Sequence, residues 1–484
     1  MQNRIGMFAL LVVLMFTLFP GSAFAAPYES YQYDFYGYAV AAPAPYLPER
    51  ALTGLDLGIG HFEQPNDMHI TENGHLYVLD SGNNRIVHIN ERGDMVRIIS
   101  SFANDDGFNQ PTGLYVTRDG TIYVADTENR RVVVLSAEGE LKKTVENPES
   151  DILPPDFQFY PLKLTVDQAG RIYVISRGMF EGIMQFDENG QFLGFVGTNK
   201  VRPNIADYIW RYLSTREQRE RMVLFIPSEF SNVDVDERGF IYATNVDLTT
   251  DETIKRINPS GEDVLKRYGY HHVKGDIQYD LYGSNRGPSR LIDIVYRGDG
   301  MYSVLDGFRG RVFTYDHEGN LLYVFGGIGN QHGVFRTPVA LAAMEEKLAV
   351  LDRGTSRIMF FEPTSFGRAV NTAVSLQYQG KDEEAVPYWR EALRLNANFD
   401  IAYIGIGKAY LMERKNREAM EYFKLGMNRK YYSTAFKRYR KEVMREHFGA
   451  ILNTVILLSA GFVFYRIYGK VRKRRGNTGE TTTV

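Results

Sequence analysis

Cysteine is absent from this chain of 484 residues, which excludes disulfide bonds, thiol catalysis and cysteine-ligated zinc. Neither sign of charge dominates, because 56 Lys and Arg residues stand against 59 Asp and Glu residues. Nucleic-acid-binding proteins normally carry a basic stripe, so we expect no nucleic-acid partner. Tryptophan occurs only twice, whereas 32 tyrosines and 30 phenylalanines are present. These aromatic residues favour strands and ligand-contacting surfaces.

The N-terminus has the pattern of a secretory signal peptide. Arg4 precedes an apolar run from Met7 to Phe19, and Ala23-Phe24-Ala25 follows as a small-residue cleavage site. We therefore predict a signal peptide over residues 1–25 with cleavage after Ala25. An uncleaved anchor is the alternative.

The C-terminal region contains one apolar stretch, residues 448–468, and about 20 such residues can cross a bilayer as a helix. A basic tail, residues 469–484, follows at once, which favours a cytoplasmic C-terminus. Basic residues such as Lys437 and Arg445 also precede the stretch, so charge alone does not decide the orientation. The signal peptide does, and we predict a single-pass protein of the cell membrane with most of the chain extracytoplasmic.

A short strand pattern recurs six times between the two ends. The copies align on the following positions: Tyr77, Tyr123, Tyr173, Tyr242, Tyr302 and Ala349. Their spacings are 46, 50, 69, 60 and 47 residues. A period of about 40 to 50 residues built from strands and turns is typical of a β-propeller.

Each copy reads as four short strands joined by Gly-containing turns, which is the plan of one propeller blade. It resembles the NHL-repeat family of six-bladed β-propellers, and Pro111 to Val132 is the most similar copy. The third and fourth copies lack the Asp of this repeat. The resemblance implies a mainly β, six-bladed propeller. It implies little about function, because family members include lyases, ligase scaffolds and receptor sensor domains.

The sixth copy has only three strands before the pattern stops, which leaves an open edge beside the first blade. Residues 50–54 precede a segment that parallels the link between blades five and six. We therefore expect them to supply the missing outer strand, so that residues 50–363 form a closed propeller. A Tyr/Pro-rich segment, residues 26–49, precedes it without an assigned role.

Asp, Asn and Arg recur after the second strand of several copies, as in Asp80, Asn83 and Arg85. Such residues satisfy backbone groups in tight loops, and their recurrence favours architecture over catalysis.

Functional residues are expected where the blades are unequal. The connections after blades three and four are the longest, and both are predicted to emerge on one face with the second-to-third-strand loop of blade four. Residues 198–226 contain a helical pattern, and residues 268–288 are rich in Tyr and His. We predict a binding patch over blades three to five at the propeller mouth. Its members are Tyr208, Trp210, Arg211, Tyr212, Tyr270, His271, His272, Tyr279 and Tyr282. A helix that merely caps the channel is the alternative.

The channel itself could hold an active site, because propeller lactonases and lyases bind calcium or zinc there. The polar columns of the first strands hold Asp67, His69, Tyr115, Lys163, Asn232, Asp234, Arg290 and Asp293. A calcium cage would use Asp67, Asn232, Asp234 and Asp293. Two cations, Lys163 and Arg290, would oppose it.

After Pro363 the apolar period changes to that of helices, and small and aromatic residues recur with a displacement of 34 residues, as Trp389 and Phe423 do. Residues 366–447 thus read as a tetratricopeptide-like segment, which serves either to bind a partner or as a rigid spacer.

Two functions remain open at this point. The first is a non-catalytic, membrane-anchored binding or scaffold protein without a cofactor. Its propeller would recognise a protein or glycan partner, and its helical repeats would dock a membrane complex such as a transport or envelope assembly. The alternative is a calcium-dependent, lactonase-type hydrolase with its site in the channel.

Overall fold

The computed structural model describes residues 26–102, 106–154, 156–197, 229–246, 252–279 and 287–476. The predicted signal peptide therefore lies outside the described residues. The chain divides into two compact units. One comprises the described residues up to Lys381 together with Arg390–Ala397; the other comprises Asp382–Trp389 and the residues from Asn398 onward.

The first unit contains all the described strands. In chain order they are β1 (Tyr31–Tyr33), β2 (Ala39–Ala41), β3 (Tyr46–Thr53), β4 (Asp67–Ile70), β5 (Leu76–Asp80), β6 (Arg85–Ile89), β7 (Met95–Ile99), β8 (Ser101–Phe102), β9 (Asp106–Gly107), β10 (Gly113–Val116), β11 (Ile122–Asp126), β12 (Arg131–Leu135), β13 (Leu141–Val145), β14 (Pro161–Val166), β15 (Ile172–Ser176), β16 (Ile183–Phe186), β17 (Phe192–Val196), β18 (Phe230–Val235), β19 (Ile241–Asn245), β20 (Ile254–Ile257), β21 (Leu291–Tyr296), β22 (Tyr302–Asp306), β23 (Arg311–Tyr315), β24 (Leu321–Gly326), β25 (Pro338–Met344), β26 (Lys347–Asp352) and β27 (Arg357–Pro363).

These strands form a six-bladed propeller. Each blade is an antiparallel sheet, and in the first five blades the strands follow one another in sequence. Strands β1–β2 and β8–β9 form separate small hairpins. The first strands of the blades contact one another in a closed cycle, from β4 through β10, β14, β18, β21 and β25 back to β4. The second strands of the first five blades are buried along their whole length, because both of their faces pack against neighbouring blades.

The outer strand of the sixth blade is β3. It pairs with β27 in an antiparallel register that runs from Arg357↔Thr53 to Pro363↔Tyr46. The strand thus begins at Tyr46, earlier than the 50–54 expected from the sequence. Tyr46 is fully buried and Leu52 is 7% exposed, so the strand contributes to the core as well as to the sheet.

The fourth blade differs from the four-stranded plan, since its described sheet has only three strands, β18–β20. The next residues make one isolated bridge, Ile257↔Asp263, and the Arg267 side chain donates to the Ile254 carbonyl at 2.9 Å. The chain then turns towards blade five, where the Tyr268 N–H donates to the Glu318 carbonyl at 2.7 Å. A side chain and a single bridge therefore replace the outer strand.

The recurrent Asp, Asn and Arg residues hold the blades together, as the sequence predicted. Asp80 accepts hydrogen bonds from the Glu63 N–H (2.6 Å), Asn83 (2.8 Å) and Arg85 (2.7 Å). In the second blade Asp126 repeats this pattern. Each carboxylate ties the loop after its own second strand to the connection entering that blade, which is a structural role.

Between the propeller strands and residue 476, the end of the described chain, there are five helices: α1 (Ser365–Tyr378), α2 (Asp382–Leu395), α3 (Asp400–Met412), α4 (Asn416–Leu425) and α5 (Arg429–Gly476). The first belongs to the propeller's unit, although the sequence placed it in a separate helical segment. Thr364 caps α1 by accepting the Gly367 N–H at 3.2 Å. Its own N–H donates to the Pro45 carbonyl at 2.9 Å, immediately before β3.

One helix among the described residues, Arg429–Lys473 within α5, is long and apolar enough to cross a membrane. Its most apolar window is 0% buried, so no part of the described chain covers it. The predicted span, residues 448–468, lies inside this helix.

Candidate functional site

A funnel of about 1320 Å³, lined by both polar and apolar residues, penetrates the propeller along its channel. Its rim is made by the turns between the first and second strands of the six blades. The rim residues include Glu72, Asp119, Gln168, Glu237, Gly298 and Glu345, one from each blade. Basic residues such as Arg118 and Lys347 also line the funnel, so its entrance carries charges of both signs.

The sequence analysis placed the mouth of the channel at the connections between blades, but the funnel opens at a different end of the propeller. In an up-and-down sheet, the turns between first and second strands lie at one end, whereas connections between blades lie at the other. The rim belongs to the first end. The cavity therefore opens at the end of the propeller opposite the connections between blades.

The floor of the funnel is an ionic and hydrogen-bonded plug. Lys163 Nζ lies 2.9 Å from Asp67 Oδ2, and the Asn232 amide donates to Asp293. Burial raises the pKa of Asp67 although Lys163 opposes the shift, and burial also raises the pKa of Asp293, to about 8. These groups fill the end of the channel.

The channel carboxylates also join neighbouring blades. Each accepts the N–H of the residue that follows it and a second N–H from the first strand of a neighbouring blade. The second bonds run from Leu114 N–H to Asp67 (2.9 Å), from Tyr296 N–H to Asp234 (2.7 Å) and from Leu341 N–H to Asp293 (2.6 Å). A carboxylate with these bonds has few lone pairs left for a metal ion.

The four residues of the calcium hypothesis therefore do not assemble as a cage. Among the described residues no three Asp, Glu or His side chains are grouped so as to hold a metal ion. Arg290, expected in the channel as an opposing cation, is instead exposed and stacks on Phe308 at 5.6 Å. The sequence analysis did not predict that these Asp residues join neighbouring blades, because their backbone partners are distant in the sequence.

The wall of the funnel carries an aromatic pair, His69 and Tyr115, whose ring centroids are 4.7 Å apart. Burial lowers the pKa of His69 to about 4 and raises the pKa of Tyr115. Both rings are therefore neutral at neutral pH. They supply an apolar and hydrogen-bonding wall rather than a charged one.

Asp234 predicts a pH dependence of stability. Burial raises its pKa to about 6, above the value of about 3.9 in an unfolded chain. The native state thus retains a proton that the unfolded state loses, and the free energy of unfolding falls as pH rises from about 4 to 6. We expect Asp234→Asn to flatten this part of the profile by about 1–2 kcal/mol in urea unfolding. A variant profile parallel to the wild type would contradict the assignment.

The predicted binding residues fall into two groups. Five of them lie outside the described residues: Tyr208, Trp210, Arg211, Tyr212 and Tyr282. The other four lie in the segment between β20 and β21. His272 and Tyr279 are exposed, whereas Tyr270 and His271 are partly covered.

A hairpin from the N-terminal segment, β1–β2, covers Tyr270 and His271. The Phe35 ring lies 5.2 Å from the Tyr270 ring in an edge-on contact. The His271 Nε2 donates to the Asp34 carbonyl at 2.7 Å. Sequence reasoning gave residues 26–49 no role, because nothing local in that segment indicates a docking site more than 200 residues away.

One buried carboxylate, Asp276, holds the hairpin in place. It is 1% exposed and accepts hydrogen bonds from the hydroxyls of Tyr31 and Tyr33 and from the Arg311 guanidinium. Arg309 contributes a second guanidinium at 3.6 Å. Burial raises the pKa of Tyr31, and the negative charge of Asp276 raises it further. The phenol therefore stays protonated and donates its hydrogen bond.

The tip of the hairpin, residues 34–38, presents two tyrosines to solvent on a rigid turn. Asp34 Oδ1 accepts the N–H groups of Tyr36 and Tyr38, both at 2.9 Å. Gly37 has φ of 87° and lies against Ile277, where a Cβ would be 3.4 Å from the side chain. Tyr36 and Tyr38 are nevertheless 73% and 65% exposed. We call these two residues, with His272 and Tyr279, the tyrosine patch.

The comparisons with known proteins agree with this architecture. The NHL repeat model matches residues 62–89 and 108–135, which lie in the first two blades. Together with the sheet topology, this defines a six-bladed β-propeller that carries NHL repeats. No curated protein matches the chain.

Three solved structures illustrate the likeness. A catalytically inactive virginiamycin B lyase from Staphylococcus aureus with quinupristin is 12% identical over 61% of this chain and 80% of that chain, with a TM-score of 0.39. A protein of unknown function from Bacteroides thetaiotaomicron is 14% identical over 63% and 70%, with a TM-score of 0.41. Hydrazine synthase from Kuenenia stuttgartiensis is 12% identical over 63% and 97%, with a TM-score of 0.37. Similarity at this level supports no inference about activity.

Proposed function

We propose that the protein is a membrane-anchored, extracytoplasmic binding protein that recognises a protein or glycan partner through the tyrosine patch. The observation that carries this proposal is the exposure of Tyr36 and Tyr38 on a turn fixed by Asp34. Large aromatic rings held rigidly in solvent bind with little loss of conformational entropy, and they can stack on sugars or fill a partner's pocket. The patch keeps His272 and Tyr279 from the predicted binding residues and adds Tyr36 and Tyr38 from the N-terminal hairpin.

The anchor in this proposal is the apolar part of α5, with residues 469–484 in the cytoplasm and the propeller outside. The signal-peptide pattern of residues 1–25 and the basic tail support this orientation.

The helical segment would dock a membrane complex, such as a transport or envelope assembly, in the manner of tetratricopeptide repeats. Small residues face aromatic ones within the second unit, as such repeats require. A Cβ on Gly405 would collide with the Trp389 indole, and one on Gly407 would lie 2.6 Å from the Phe423 ring. This complementarity supports a tetratricopeptide-like packing.

Photo-crosslinking tests the recognition surface directly. We expect a benzophenone amino acid at Tyr36 or Tyr38 of the full-length protein, in its native membrane, to give a discrete adduct. The same probe at Leu193, 56% exposed on the outer strand of blade three, should give none. Protease digestion of the adduct distinguishes a protein partner from a glycan. Identical labelling at all three positions, or none at the patch, would refute the proposal.

A further inference from the structure

Helix α5 continues without a break from the packed helices into its apolar stretch. Most of its exposed apolar residues lie between Phe448, which is 60% exposed, and Val471. Just before Phe448 the same helix carries four basic residues: Lys437, Arg440, Lys441 and Arg445. Because the helix is continuous, the height of each basic residue above the apolar stretch is fixed.

The four basic residues share the side of α5 that faces away from the other helices. Ala435 is fully buried on the packed side, with Tyr439 and Val443 partly buried below it. At 3.6 residues per turn, the four basic residues fall within an arc of about 140° on the opposite side. All four are exposed, and we call them the basic collar.

The other charged residues in this part of α5 lie closer to the side that packs against the other helices. Arg438 lies towards the packed side and donates to the Leu411 carbonyl at 3.2 Å. Glu442 also lies there and accepts from the Asn416 amide at 3.0 Å. By the same helical geometry Glu446 falls on the packed side. Within the arc of the collar all four charges are therefore basic, whereas the exposed Glu442 and Glu446 lie on the other side of the helix.

Three of the four collar residues lie within or near the height of the headgroup layer, whereas Lys437 lies about 16 Å before Phe448 and outside it. At 1.5 Å per residue, Arg445 lies about 4.5 Å before Phe448, and Lys441 and Arg440 lie about 10 and 12 Å before it. The headgroup layer is about 5–7 Å thick on each side of the hydrocarbon core. Arg445 thus sits within this layer. The side chains of Lys441 and Arg440 are long enough to bring their charges to its outer limit.

We propose that the basic collar is a binding site for the headgroups of anionic phospholipids in the outer leaflet of the membrane. Guanidinium and ammonium groups donate charge-assisted hydrogen bonds to phosphate oxygens, and arginine does so bidentately. The collar rests on the proposed membrane anchor. The positive-inside rule accounts for the basic residues after the span but not for those before it. Binding of anionic headgroups gives the residues before the span a role.

Spin-labelled lipids test the site. The full-length protein is reconstituted in phosphatidylcholine vesicles, and its association with labelled phosphatidylglycerol is compared with that of labelled phosphatidylcholine. We expect preference for the anionic lipid, lowered about fivefold in the triple variant Arg440→Gln, Lys441→Gln, Arg445→Gln. Residual preference reflects the basic residues after the span.

Two single variants provide a matched control. Lys430 lies on the same side of α5 but about 27 Å before Phe448. Arg445→Gln should therefore lower the anionic preference, whereas Lys430→Gln should leave it unchanged.

Carbonate extraction separates failure of the collar from failure of the anchor. A chain released from the vesicles by carbonate has no membrane span, which overturns the anchor and the collar together. A chain that stays inserted but shows wild-type lipid preference in the triple variant overturns the collar alone.

Discussion

A chain without residues 46–53 is expected to lose the cooperative unfolding transition of the whole propeller. These residues form β3, which pairs with β27 and closes the sixth blade. Without them β27 exposes a full row of unpaired backbone groups, and the fully buried Tyr46 leaves the core. Thermal unfolding followed by circular dichroism measures the effect.

A graded variant keeps this prediction testable if the deleted chain does not accumulate. Leu52 is 7% exposed, and Leu52→Ala should lower the free energy of unfolding by about 2–4 kcal/mol. Leu55, just beyond the strand, is 57% exposed, and Leu55→Ala should change it by less than about 0.5 kcal/mol. Wild-type melting of the deleted chain would show that the ring closes by other contacts.

Asp276→Asn is expected to cost about 3–5 kcal/mol of stability. The substitution leaves Arg311 and the nearly buried Arg309 without the carboxylate that faces both of them. An amide also offers fewer acceptor lone pairs to the hydroxyls of Tyr31 and Tyr33. Urea unfolding of the variant measures the loss.

The same variant should release the N-terminal hairpin. Limited proteolysis followed by mass spectrometry is expected to cut within residues 31–41 in Asp276→Asn and to leave the wild type intact. Asp151 is exposed in the connection after blade two, so Asp151→Asn serves as the control without effect. A protected hairpin and an unchanged unfolding midpoint in Asp276→Asn would contradict the role of this carboxylate.

The repeat pattern predicted the propeller because its information is local. Each blade is a run of alternating strands with Gly turns, and the spacing of Tyr77 and Tyr123 alone indicates the period. The recurrent Asp80 and Asp126 could likewise be read as structural, since their partners include residues a few positions away.

The candidate site was harder to predict, because its contacts are distant in sequence. Tyr270 and His271 read as exposed aromatic residues, yet they meet Phe35 and Asp34, more than 200 residues earlier. The channel carboxylates read as metal ligands, yet Asp293 accepts the backbone N–H of Leu341 in the next blade. Neither contact leaves a pattern in the sequence. In blade four the Arg267 side chain donates to the Ile254 carbonyl, a contact that the sequence pattern likewise does not indicate.

The strand that completes the ring also sets the order in which the chain can assemble. Tyr46 is made early, but its partner Pro363 is made about 300 residues later, and such long-range pairing is slow. The Thr364 N–H bonds to the Pro45 carbonyl, so the link between the start of α1 and the N-terminal segment also forms only when both strands have met. The propeller therefore cannot close before its last blade has been made, and the apolar stretch of α5 follows about 85 residues later in the chain.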